Sequence, residues 1–187
     1  MTKADYFSLG NRNEAYITIA LHVAQFSEYR RPIIDQLYLV KLRHWDAAIR
    51  KLSSQSLKAL TPLDKQYMVA TVIPYLLLNS LDQKNVQLRH GSVLGLAEIV
   101  LALGDMTSTK GDFTGLVPDE TMNSISGLVQ VIEKKRLYRG KGGEQMRAAV
   151  CRLIECISIA RVPLTVPQQV RYVDFLFFSY GWIFAVY

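Results

Sequence analysis

Few residues in this sequence are spaced for catalysis or metal binding. His22, His44 and His90 are scattered, and none has a ligand-type partner one helical turn away. Neither His-Glu-x-x-His nor Cys-x-x-Cys occurs. Cys151 and Cys156 stand five apart, and on one helix they read as small core hydrophobes. Two cysteines exclude a disulfide scaffold or a Cys-based zinc finger and suit a reducing cytosol. Leu137-Tyr-Arg-Gly-Lys-Gly-Gly143 looks superficially like a phosphate loop. It lacks the Gly-x-x-x-x-Gly-Lys-[Ser/Thr] order and no strand precedes it, so an inter-helix turn is the plainer reading. Asp119 and Glu120 are paired carboxylates, but they open a helix and suit its positive end. No catalytic residue, cofactor or metal is expected.

The elements that hold these residues read as helices. Apolar residues recur at three- and four-residue spacing over 12–26, 32–42, 46–60, 64–79, 86–103, 119–135 and 144–158. Pro32 is expected at a helix start and Asp64 at a helix cap. No stretch alternates with period two over several strands.

The helices pair, and the pairs share a register. Asp46-Ala-Ala-Ile-Arg50, Asn85-Val-Gln-Leu-Arg89 and Gly143-Glu-Gln-Met-Arg147 each place a turn-former four residues before an arginine. A weaker copy begins at Arg12, with Ala15 and Ile19 matching. The arginines Arg12, Arg50, Arg89 and Arg147 are separated by 38, 39 and 58 residues. The first two spacings approach the ~40–47-residue period of helix-pair solenoids. The third is lengthened by 104–118, which reads as an inserted loop. The register has a physical sense. Asp46 and Asn85 suit a tight turn and cap. An arginine one turn into the helix can reach back to a carbonyl or carboxylate near that turn, in its own or the next unit. Asp46, Arg50, Asn85, Arg89 and Arg147 would then form a structural ladder. Small residues such as Ser53, Gly91, Ser92 and Gly95 would let helices approach, and Pro74 would bend the first helix of its pair. The expected fold is all-α, a HEAT- or armadillo-like solenoid over 1–165, against the plainer alternative of a helical bundle with accidental spacing.

Charge and the last residues bear on partners. The 187-residue chain carries a formal net charge of +6 with a pI near 9.3, which favours acidic partners. Half the residues are hydrophobic, which excludes wholesale disorder. The opening Met-Thr-Lys-Ala-Asp is not read as a signal peptide. The densest basic group is Lys134, Lys135 and Arg136, then Arg139 and Lys141. Residues 172–187 hold eight of the chain's 19 aromatics. This tail is shorter than the ~20 residues of a spanning helix, and Asp174 interrupts it, so no membrane span is expected. A strand-like or irregular segment over 172–187, packed on the last helix but adding little to the stack, is expected instead, within an aromatic-rich tail of 166–187. A chain cut near Gln168 should then stay folded.

Several stretches resemble an internal segment of the tubulin-folding cofactor D family. They are Asp5-Tyr-Phe-Ser-Leu-Gly-Asn-Arg-Asn13, His44-Trp-Asp46, Leu88-Arg-His-Gly91, Arg136-Leu-Tyr-Arg-Gly-Lys-Gly-Gly143 and Arg147–Leu164, including Cys151-Arg-Leu-Ile-Glu-Cys-Ile-Ser158. The resemblance covers about residues 4–165 and stops near Val166; the aromatic tail is foreign to the family. It implies HEAT repeats and a chaperone that captures β-tubulin, with tubulin-folding cofactors C and E and an Arf-like small GTPase as partners. Together these assemble or take apart the αβ-tubulin heterodimer and stimulate GTP hydrolysis by tubulin, so the chain would not itself be the enzyme. Cytoplasmic, cytoskeleton-associated localisation follows. Family members are much longer, so the chain reads as a fragment or a truncated product.

The best candidate for a partner surface is the basic turn of Arg136, Tyr138, Arg139, Gly140, Lys141, Gly142 and Gly143, because it exposes backbone and cations together. A turn serving only its own geometry is the plain alternative. Two functional readings stand: a protein-binding scaffold of the tubulin chaperone system, and a basic helical repeat that binds nucleic acid or proteins generally. The second lacks a regular pair of base-reading side chains in each repeat, so no nucleic acid is expected.

Overall fold

The structure is a computed structural model that describes residues 11–140 and 142–184, with backbone alone over 177–184. Lys141, and residues 5–10 of the Asp5–Asn13 motif, lie outside the described residues. Among the described residues eight helices follow in order. They are α1 (Glu14–Ile19, continuing as Ala20–Val23) and α2 (Ser27–Asp35, Gln36–Val40 and Lys41–Arg43). Next come α3 (Ala47–Leu60), α4 (Lys65–Tyr67, Met68–Val72 and Ile73–Asn79) and α5 (Val86–Asp105). The last three are α6 (Asp119–Lys134), α7 (Gly143–Ala160) and α8 (Val166–Phe184). No strand occurs among the described residues.

The helices form two layers of an α-α solenoid. In one layer α1, α3, α5 and α7 stack side by side. In the other α2, α4, α6 and α8 follow one another. There Tyr38 meets Tyr75 edge-on at 5.1 Å, and the Tyr67 hydroxyl donates to Asp35. The layers close on a core that includes Leu37, Leu57, Leu76, Leu96, Ile125 and Leu153. The central helix α5 buries 15 of its 20 residues, because α3 and α7 flank it and α2 and α4 lie across it. It is long and apolar enough to cross a membrane by length and composition, yet 78% of that window is buried inside the protein. The same window therefore describes a core helix.

The caps act as the register requires. The Asp46 side chain accepts from the Ala48 N–H, and that of Asn85 from the Leu88 N–H. Gly91 lies so close to the end of α2 that a Cβ there would fall 1.7 Å from the Leu42 carbonyl oxygen. A π-type turn at Met68–Val72 ends just before Pro74. A wider turn makes room for a ring that would otherwise strike the carbonyl four residues earlier.

Three expectations are corrected. Pro32 does not begin a helix: α2 starts at Ser27, after an extended Phe26. The ring then removes a single hydrogen bond, to the carbonyl of Glu28 on an exposed first turn. The loop expected at 104–118 begins two residues later, since α5 runs to Asp105, and its Phe113 and Val117 are buried. Over 166–184 the tail is neither strand nor irregular. It is helix α8, laid on α6 and α7. Its start carries half of a capping box, with the Thr165 N–H donating to Gln168 Oε1 at 2.8 Å. Tyr172, Phe175 and Leu176, at the i, i+3, i+4 spacing of one helix face, turn inward. Tyr172 is 3% exposed and its hydroxyl donates to the Ser126 carbonyl at 2.8 Å. The tail therefore packs on the last helix pair as a helix, and covers the end of the stack instead of adding little to it.

Candidate functional site

Arg50, Arg89 and Arg147 each donate to a carbonyl of the turn before their own helix. Arg50 Nη1 donates to the His44 and Trp45 carbonyls at 2.7 and 2.9 Å. Arg89 Nη1 donates to the Asp82 carbonyl, and Arg147 Nη1 to that of Tyr138 at 3.4 Å. Such bonds satisfy turn carbonyls that the helices cannot reach. Arg50 goes further. Its Nε donates to His90 Nδ1 at 2.9 Å and its Nη2 to Gln145 Oε1 at 3.0 Å, so one side chain joins α3, α5 and α7. His90 must be neutral to accept, and burial together with the Arg50 charge pushes its pKa down to about 4. Arg12 reaches the next unit instead, pairing with Asp46 at 3.3 Å. Burial lowers the pKa values of Arg50 and Arg89, against the pull of Asp46 and Asp82 respectively.

The opposite edge of the stack has a clasp that the sequence reading missed. Arg30 donates to the carbonyls of Ala24, Gln25 and Leu63, tying the α1–α2 turn to the α3–α4 turn. Arg31 pairs with Asp64 at 2.9 Å and lies over the Tyr67 ring. Both arginines fall in a charged run at the start of α2, where no repeated spacing marks them.

Chemistry-bearing side chains elsewhere are occupied structurally. Cys156 is fully buried, and desolvation raises its thiol pKa to about 12, which keeps it out of thiolate chemistry. No cluster of three or more metal-ligating side chains occurs among the described residues. Glu98 receives Arg152 at 2.8 Å across α5 and α7.

The basic turn 136–143 splits in the structure. Gly143 is buried: a Cβ there would fall 2.4 Å from the Tyr138 carbonyl oxygen. The Tyr138 ring meets Phe175 edge-on at 5.4 Å and is half-buried. Gly140 and Gly142 take φ of 77° and 81°, values open to glycine. Arg136 and Arg139 are exposed. They line a depression of ≈ 650 Å³ between the end of α6 and the start of α8, together with Lys134 and Arg171. Glu133 is also in its wall and pairs with Arg171 at 3.7 Å. The sequence reading left out Arg171, because it set the aromatic tail apart from the repeats.

Arg136 holds a position that glycine usually fills. The Arg136 N–H donates to the Glu133 carbonyl and the Leu137 N–H to that of Ile132, the paired closure that ends a helix on a left-handed residue. Arg136 is that residue, with φ 55°. Its charge suits the negative end of α6, and it points a cation at the rim of the depression.

No family model matches the sequence, and no solved structure matches the chain. Over 165 residues, 88% of the chain, the sequence is 27% identical to tubulin-specific chaperone D of Dictyostelium discoideum. The chain spans 11% of the length of that relative. It is therefore similar, along most of its own length, to about a tenth of a tubulin-specific chaperone.

Proposed function

We propose that the chain is a helical-repeat segment of a tubulin chaperone, serving as a protein-binding scaffold. The observation that carries this is the likeness to tubulin-specific chaperone D over 165 residues. A solenoid supports such a role because its layers present long surfaces to another macromolecule. The +6 charge suits an acidic protein partner. In the finer reading, the segment belongs to a chaperone that captures β-tubulin and works with cofactors C and E and an Arf-like small GTPase on the αβ-tubulin heterodimer. Any GTP hydrolysis is then tubulin's own, and the place of action is the cytoplasm beside the cytoskeleton. A pull-down with the 187-residue chain, offering tubulin and single-stranded RNA at moderate salt, tests this. Retention of tubulin alone is expected; retention of RNA alone overturns the proposal in favour of a nucleic-acid-binding repeat.

A further inference from the structure

We infer that the basic depression between α6 and α8 docks a short acidic peptide segment of a protein partner. This deepens the scaffold reading and rests on it only for the partner being a protein.

Three observations lead there. The first is charge: Lys134, Arg136, Arg139 and Arg171 surround the depression, and the single carboxylate in its wall, Glu133, pairs with Arg171. That leaves Lys134, Arg136 and Arg139 facing solvent with no hydrogen bond or ion pair from their own side chains among the described residues. The second is the backbone of Arg136. A non-glycine residue held at φ 55° is strained, and glycine would relieve it. The third is α7. Asp46 caps α3 and Asn85 caps α5 with side chains, but no side chain caps α7 at Gly142, so its positive end adds to the field beside the same turn.

The shape and lining select a peptide over a nucleic acid. Base stacking needs an open aromatic face. Among the described residues the aromatic of this depression, Tyr138, is half-buried with its ring set edge-on against Phe175. Separate arginines meeting separate carboxylates, each able to accept two parallel hydrogen bonds, fit what is present.

The test uses the full chain and a fluorescein-labelled Glu-rich peptide, read by anisotropy at low salt. Arg136→Gly with Arg139→Glu removes two of the three facing cations while easing the backbone at 136, so the melting temperature should hold or rise. Binding is expected to weaken roughly ten-fold, and Lys110→Glu, on the remote 106–118 connection, should leave it unchanged. Equal binding by the double variant overturns the inference, as does tighter binding of a single-stranded RNA of matched charge. The tubulin pull-down keeps the two proposals apart. If the double variant retains tubulin as well as the parent does, the depression is not the contact and the scaffold reading stands. If the peptide binds at the depression but tubulin is never retained, the scaffold's partner is a different acidic protein.

Discussion

Arg50 and His90 decide how the middle of the stack responds to substitution and to pH. Arg50 is 2% exposed and donates four hydrogen bonds, two to the turn before α3 and one each to α5 and α7, so Arg50→Ala should destabilise by about 3 kcal/mol. Arg89→Ala removes a bond to the Asp82 carbonyl and should fall lower, at about 1–2 kcal/mol, since the buried Arg89 Nε already lacks a partner. Arg147→Ala, half-buried with a longer bond, should matter least. Urea unfolding of the three variants checks the order; equal effects would mean that the arginines do not differ as their contacts do. For His90 the sign follows from linkage. Its folded pKa of about 4 lies below the unfolded 6.5, so the unfolded chain takes the proton first as pH falls. Stability from this residue is whole above about pH 6.5 and is lost progressively toward pH 4. Parent protein should lose roughly 1–2 kcal/mol more between pH 7 and pH 5 than His90→Asn, whose Oδ1 can take the place of Nδ1. Parallel pH curves for the two would refute the neutral, accepting histidine.

Among the elements, α8 has the clearest consequence. A chain ending at Gln168 loses Tyr172 and Phe175 from the face of α6, leaving the Ser126 carbonyl and apolar neighbours in water. Removing two buried aromatics is worth several kcal/mol, by analogy with truncation of single aromatics at ~3–5 kcal/mol. The truncated chain should therefore melt clearly lower and scatter more light than the full one. An unchanged melting curve would show that α8 is not part of the stack. On its outer face Val166, Val170 and Val173 stay exposed at helical spacing.

Across the whole molecule, stability should follow position in the stack. Each helix of a solenoid packs mainly on its neighbours, so the unit with two flanks is held hardest. In hydrogen exchange the amides of α5 should be the slowest, while those of α1 and α8 exchange by local opening. Uniform protection from α1 to α8 would mean that the chain unfolds only as a single block. The arginines on both edges support the graded picture, because Arg50 ties the central units on one side and Arg30 ties the first turns on the other.

The sequence by itself determined the helical class, the pairing of helices and the turn chemistry. Those depend on local spacing: apolar residues three and four apart, Asp46 and Asn85 four residues before an arginine, Gly91 and Gly95 where α5 lies close to Leu42. The tail was legible in part, since Thr165-Val-Pro-Gln168 and the Tyr172, Phe175, Leu176 spacing are helix signals. Eight aromatics in the last 16 residues obscured them, because aromatic side chains favour strands as readily as buried helix faces. Only the tertiary structure decided which groups meet across units. Arg50 reaches Gln145, 95 residues away, and Arg171 joins Arg136 and Arg139 around one depression, although 32 residues separate Arg139 from Arg171. Such meetings depend on how successive helix pairs stack, and that is settled by the packing of buried side chains between layers, which no spacing along the chain records.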